Sequence, residues 1–330
     1  MTTAAIKVAQ VGCGYWGKNL VRNFAEIGAL AAVSDGHEPT AAKMSADYGV
    51  PVCDWAAILA DPAIDAVSLA TPAAVHADMA IEAIAAGKHV YVEKPLALNS
   101  ADAELVVAAA EAAGRTLMVG HLLQYHPIFN HVRRLVEDGA VGAIDYIFSN
   151  RMSLGKFRTE ENVLWSFAPH DVSMILALVG EEPAHVSAQG AAFVTPGIAD
   201  WATMQFVFPG GVRGHVQASW ASPYKEQRLV VIGREAMLVF DDAEPDWGRK
   251  LALYHHGIDR TGAVPAAVKA EPDYIDVPRG EPLKAECLHF VAAIASKTPP
   301  RSDGHEGLRV LKVLERGEAA LAASLAGNGK

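Results

Sequence analysis

The feature that most narrows the fold is a glycine loop held between a strand-like run and a helix-like one. Gly12-Cys13-Gly14-Tyr15-Trp16-Gly17 follows the apolar run 6–11 and opens an amphipathic stretch, 15–27, that Gly28 stops. At that spacing the first glycine permits a tight turn and the second lets backbone N–H groups approach a pyrophosphate. The third lets helix and strand close together, and the helix N-terminus favours negative charge. The spacing alone says little in a chain with 28 glycines; the strand before and helix after make it specific. Asp35 ends the second apolar run, about 20 residues beyond the loop, where the fingerprint places an acid. Its carboxylate suits ribose hydroxyls and repels a 2′-phosphate, so NAD is expected over NADP. His37 softens that preference slightly.

The same rhythm continues. Apolar runs at 65–70, 89–93 and 116–120 alternate with helical stretches at 40–48, 76–86 and 100–113, stopped by Gly49, Gly87 and Gly114. Such alternation implies βαβ crossovers and a parallel sheet. Beyond residue 121 the pattern changes. Helices are expected at 127–138, 170–178, 283–295 and 306–325. Strands are expected at 144–150, 184–193, 201–208, 212–219, 228–233 and 236–241, and irregular chain over 242–272. The expected fold is α/β. An N-terminal Rossmann dinucleotide-binding domain covers 1–121, and a C-terminal α+β domain with a large, mostly antiparallel sheet covers 122–330, its C-terminal helix expected to pack back on the first domain. A length of 330 residues agrees with two domains.

A net charge of −10 argues against nucleic acid as a partner. Cys13, Cys53 and Cys287 form no CxxC pair, and their odd number argues against a disulfide framework. The N-terminal apolar stretch is too short for a signal peptide, and no run is long enough to span a membrane. A soluble cytoplasmic protein is expected.

Glu93-Lys94-Pro95 closes the run His89-Val90-Tyr91-Val92. A lysine there lies at the carboxyl edge of a parallel sheet, where ligands bind. Upstream stand Thr71-Pro72, His76 and Ala86-Gly87-Lys88. Together with the glycine loop, this block resembles the Gfo/Idh/MocA oxidoreductases, densely over 6–127 and more sparsely to about 180. The resemblance implies a Rossmann domain followed by an open-sheet substrate domain. It also implies homodimers or homotetramers built through that sheet, and Lys94 as an active-site lysine. We assign Gly12, Cys13, Gly14, Tyr15, Trp16, Gly17, Asp35, Thr71, Pro72, His76, Glu93, Lys94 and Gln124 to the cofactor.

Many members of that family carry an aspartate four residues before the histidine that transfers a proton. In Ser166-Phe167-Ala168-Pro169-His170-Asp171 the histidine matches as His170, and Ser166 stands where the aspartate would be. The resemblance thus implies His170 as a catalytic residue beside Lys94. The alternative is a residue opening the helix 170–178, with Asp171 adding favourable charge. Gly120-His121-Leu122-Leu123-Gln124-Tyr125-His126-Pro127 forms the crossover between domains. His121 and His126 lack further convergent ligands, so no metal is expected. Arg151, Lys156 and Arg158 cluster as a candidate anion site. With Lys94, Tyr125, Asn162 and His170 they make up the expected substrate contacts.

These segments also resemble the nucleotide-sugar branch of the family, the UDP-N-acetylglucosaminuronate 3-dehydrogenases. The expected reaction is oxidation of a sugar secondary alcohol by hydride transfer to NAD, at the 3-hydroxyl of a UDP-linked N-acetylhexosaminuronate. An inositol or free-aldose dehydrogenase, transient NAD use in glycoside hydrolysis, and a non-catalytic dinucleotide-binding regulator remain as alternatives.

Overall fold

The computed structural model describes residues 6–259 and 261–327. They divide into two compact units: the described part of Met1–Tyr125 with Gly280–Leu311, and His126–Arg279 with the described part of Lys312–Lys330.

The first unit holds strands β1 (Val8–Val11), β2 (Leu30–Ser34), β3 (Ala66–Leu69), β4 (His89–Glu93) and β5 (Leu117–Gly120). All pair in parallel, in the order β2-β1-β3-β4-β5. Val52 adds a single parallel bridge to Val33 beyond β2. The strands are near-continuously apolar because both faces are covered. Gln10 is the polar exception inside β1, and its amide donates to the Gly12 carbonyl at 2.9 Å. The strands alternate with α1 (Gly17–Glu26), α2 (Glu38–Tyr48), α3 (Trp55–Ala60), α4 (His76–Ala85) and α5 (Ser100–Ala113). Gly49 and Gly114 close α2 and α5 in the left-handed conformation that glycine adopts without steric cost. Helix α3 has no counterpart in the sequence reading; Asp54 caps it by accepting from the Ala57 N–H at 2.7 Å.

The second unit opens with α6 (Pro127–Glu137), β6 (Ile144–Leu154) and α7 (Val163–Val179). Then come β7 (His185–Ala191), β8 (Trp201–Val207), β9 (Arg213–Ser219), β10 (Ala221–Gly233), β11 (Met237–Asp241), β12 (Leu251–Tyr254), the hairpin β13 (Gly257–Asp259) with β14 (Ala266–Val268), and β15 (Pro272–Tyr274). Eight of these form one sheet in the order β15-β12-β11-β10-β6-β9-β8-β7. Every neighbouring pair is antiparallel except β6 with β9. Two expectations change. Residues 242–272 are not merely loop, since β12 extends the sheet there. Helix α7 begins seven residues before His170, because Asn162 caps it and Pro169 is carried inside it. Along β6, Ile147 and Ser149 are buried on one face. Phe148 lies on the other, stacked on His215 at a centroid distance of 5.1 Å.

The chain then returns to the first unit. In α8 (Pro282–Ser296), Leu283, Cys287 and Phe290 join a core with Phe24 and Tyr91. Helix α9 (Gly304–Gly327) starts against β5, where a Cβ on Gly307 would come 2.6 Å from Val119. No described helix is long and apolar enough to cross a membrane.

Candidate functional site

The three loop glycines divide their work. Gly12 has φ +84°, and a Cβ there would lie 2.5 Å from the Ala70 carbonyl oxygen. On Gly17 a Cβ would lie 1.9 Å from the Gly12 oxygen. Both are glycine for packing reasons. A Cβ on Gly14 would meet nothing within 4 Å, so its side of the loop is open to a ligand. Asp35 closes the arrangement from β2: one carboxylate oxygen accepts from the Cys13 N–H at 2.6 Å, the other from the His37 N–H at 2.8 Å. An open glycine, a helix N-terminus and an acid fixed beside them are what a nicotinamide dinucleotide requires, and the residues present fit it.

The side chains assigned to the cofactor separate on inspection. The Cys13 thiol is turned into the core at 2% exposure, so only its backbone can serve a ligand. Burial, with Asp35 nearby, pushes its pKa up to about 11. Tyr15 is almost fully exposed. The Trp16 indole N–H donates to Glu93, and the Tyr91 hydroxyl donates to the same carboxylate oxygen at 3.2 Å. Burial raises the pKa of Glu93. Glu93 therefore ties the glycine loop to β4. Gly120 leaves room for this, since a Cβ there would come 2.8 Å from the Tyr91 hydroxyl and 2.9 Å from Glu93 Oε2. Lys94 follows half-buried, joined to Pro95 by a cis peptide bond. Thr71 is half-buried and Pro72 exposed at the end of β3. His76 lies inside, with both ring nitrogens on backbone carbonyls.

Gln124 and Tyr125 are both buried. The Tyr125 hydroxyl shares a hydrogen bond with Ser302 at 3.0 Å, and the Arg301 guanidinium lies 5.3 Å from its ring centroid. Arg301 also reaches the Gln124 carbonyl. Both residues lock the end of the first unit. His121 pairs with Glu306 at 2.5 Å, and His126 caps α6 by accepting from the Ile128 N–H at 3.2 Å. Among the described residues no three His, Cys, Asp or Glu side chains converge as a metal site.

Sequence reasoning missed Glu286. It is fully buried on α8, and burial, reinforced by Glu93, holds its pKa well above the carboxylate range. A carboxyl raised in the folded state binds its proton more tightly there than when unfolded. Its contribution to stability is full below the unfolded pKa and is lost as pH rises through the folded one. Glu286→Gln is therefore expected to raise Tm at pH 8 by about 2–4 °C. At pH 4 it should change Tm little. Thermal scans at the two pH values check this, and an equal shift at both would remove the explanation.

In the second unit α7 carries the histidine. Asn162 is spent on structure: its oxygen caps Leu164 N–H at 3.0 Å, and its amide donates to Glu318 at 2.6 Å. Trp165 donates to the same Glu318 oxygen at 3.1 Å. His170 lies mid-helix and half-buried, one turn after Ser166. It does not open the helix, so the N-terminal alternative for His170 fails. Asp171, fully buried, accepts from Ser149 at 2.5 Å and from Arg151 Nε at 2.6 Å. Arg151 thus has its Nε and one terminal nitrogen engaged by Asp171, the latter at 3.2 Å. Arg158 pairs with Glu161 at 2.9 Å, and Lys156 is exposed.

Residues 6–121 match the model of the oxidoreductase family with the NAD-binding Rossmann fold, and residues 129–239 match the GFO/IDH/MocA C-terminal domain. The chain is 30% identical over 326 residues to UDP-N-acetylglucosamine 3-dehydrogenase of Acidithiobacillus ferrooxidans, covering 97% of this chain and 98% of that one. A solved structure of that enzyme superposes with a TM-score of 0.86 at 28% identity, covering 98% of this chain and all of the other. Inositol 2-dehydrogenase of Rhizobium meliloti is 26% identical over 311 residues, 87% of each chain. With both domain models matched in order and similarity running nearly end to end, the chain belongs to the Gfo/Idh/MocA family of NAD(P)-dependent sugar and polyol oxidoreductases.

Proposed function

We propose that this protein is an NAD-dependent 3-dehydrogenase of a UDP-linked N-acetylhexosamine. The observation that carries the reading is the near-full-length likeness to an enzyme named for UDP-N-acetylglucosamine. The sequence reading placed a carboxylate on the sugar and took Arg151, Lys156 and Arg158 as a place for an anion, phosphate or carboxylate. With Arg151 held by Asp171, that support shrinks, and we favour the sugar without the carboxylate. Asp35 supports NAD over NADP, since its charge repels a 2′-phosphate.

Bound NAD supplies the hydride acceptor. The rest falls to the protein. As the carbinol becomes a carbonyl its proton needs a base. His170 is assigned that role, with its ring set by α7. Lys94 is assigned to hydrogen-bond the same oxygen and offset its developing charge. The two roles can exchange, because a lysine next to a cationic ring loses its proton more readily. The face of the large sheet bearing Phe148 and His215 is assigned to pairing with another copy of the chain.

A substrate panel tests the reading: UDP-N-acetylglucosamine, UDP-N-acetylglucosaminuronate, free uronates, free aldoses and inositols, each followed by NADH absorbance. UDP-N-acetylglucosamine is expected to give the highest kcat/KM. Activity confined to inositol would replace the reading with the second one, a polyol dehydrogenase, which the likeness to inositol 2-dehydrogenase supports. NAD binding without reduction on any member of the panel would favour a regulator.

A further inference from the structure

We infer that His76 is a positioning residue that sets the place of Lys94; the inference rests on the role proposed above for that lysine. β3 and β4 are parallel neighbours, paired Val67 with Val90 and Leu69 with Val92. Each delivers a loop from its carboxyl end, one through Thr71-Pro72 and the other through Lys94-Pro95. His76 is the first residue of α4, and its ring spans the two loops. Nδ1 is 2.7 Å from the Pro95 carbonyl oxygen and Nε2 is 2.9 Å from that of Thr71.

His76 is 1% exposed. Both nitrogens are committed to backbone, so no ring nitrogen is left for a dinucleotide, and the sequence assignment of His76 as a cofactor contact is replaced. Both partners are carbonyl oxygens, which only accept, so the ring donates to both loops only as the imidazolium; burial lowers its pKa, and the contacts to the Pro95 and Thr71 carbonyls act against that. A glutamine or asparagine presents both of its N–H groups on one nitrogen and cannot place a donor at each end of a rigid ring, as the imidazolium does. A leucine satisfies neither. The carbonyl held on one side belongs to the residue directly after Lys94. The clamp therefore fixes the backbone from which the lysine side chain departs. A displacement of an ångström at such a group can cost about a hundredfold in rate.

The experiment is a double-mutant cycle read by single-turnover hydride transfer with enzyme in excess, which resolves slow rates. It uses the full chain with NAD and UDP-N-acetylglucosamine, or whichever member of the panel is turned over. His76→Gln and His76→Leu are made alone and together with Lys94→Met. NAD affinity of every variant is measured by calorimetry. The expected result is a loss of about thirtyfold or more for His76→Gln, and a greater one for His76→Leu. In the Lys94→Met background His76→Gln should cost less than about threefold. NAD affinity should stay within about threefold throughout. An equal loss in both backgrounds would overturn the inference, as would no loss in the wild-type background or loss of NAD binding in His76→Gln. Full turnover by Lys94→Met alone would instead remove the role of the lysine, a result distinct from an inert Lys94→Met with an indifferent His76→Gln.

Discussion

Lys94→Met is expected to lower kcat by about a thousandfold while leaving the affinity for NAD within about threefold. The magnitude follows from what the side chain is assigned to do. A charged donor aimed at an oxygen that becomes negative contributes about two to three orders of magnitude, and positioned proton transfer a comparable amount. Methionine keeps the length and loses the charge. In the proposed binding mode the dinucleotide rests chiefly on the glycine loop and Asp35, where Gly14 is open and the carboxylate is already fixed. Binding and turnover should therefore separate. Steady-state kinetics with calorimetric NAD titration checks this. Turnover equal to wild type would remove Lys94 from the mechanism, and loss of both together would make it a structural lysine.

Arg151→Ala is expected to destabilise the second unit by about 3–5 kcal/mol, the cost of stranding a buried carboxylate. Asp171 has no solvent to turn to, and without the guanidinium it would keep only the Ser149 hydroxyl. The ion pair ties β6 to α7, the helix that carries His170. Replacing both partners, as Arg151→Met with Asp171→Leu, should recover most of the loss, because an apolar pair of similar volume avoids the desolvation. Urea unfolding of the three proteins measures this. A different result would follow had Arg151 been the anion ligand that the sequence suggested: KM would rise while the unfolding midpoint stayed put.

The parts of the molecule that were legible in its sequence are those with a local cause. Helix α5 and strand β4 are read to the residue, since Gly114 must close one and Glu93-Lys94-Pro95 ends the other. The glycine loop is legible because each of its glycines answers a steric demand within a few residues. What the sequence concealed lies in pairings across distance. Arg151 looks like a spare cation until Asp171, 20 residues on, takes it. Asn162 looks like a ligand until Glu318, 156 residues away, engages it. Tyr125 depends on Ser302 in the same way. The start of α7 was misplaced because Pro169 reads as a boundary, although a proline inside a helix is tolerated where tertiary packing outweighs the lost hydrogen bond. The His76 clamp had a signal, a histidine four residues after Thr71-Pro72, but its second acceptor, Pro95, comes from another strand.

The return of the chain to its first unit has a consequence for synthesis. The parallel layer has all five strands by Gly120, but Phe24 and Tyr91 meet Phe290 only after residues 126–279 of the second unit have been made. At ribosomal speed the nascent polypeptide carries that bare apolar patch for on the order of ten seconds. A fragment cut at residue 121, where the first family match ends, keeps the patch permanently. Such a fragment should precipitate or occupy chaperones, and its solubility should be restored by supplying residues 280–311 in trans or by splicing them directly after its last residue.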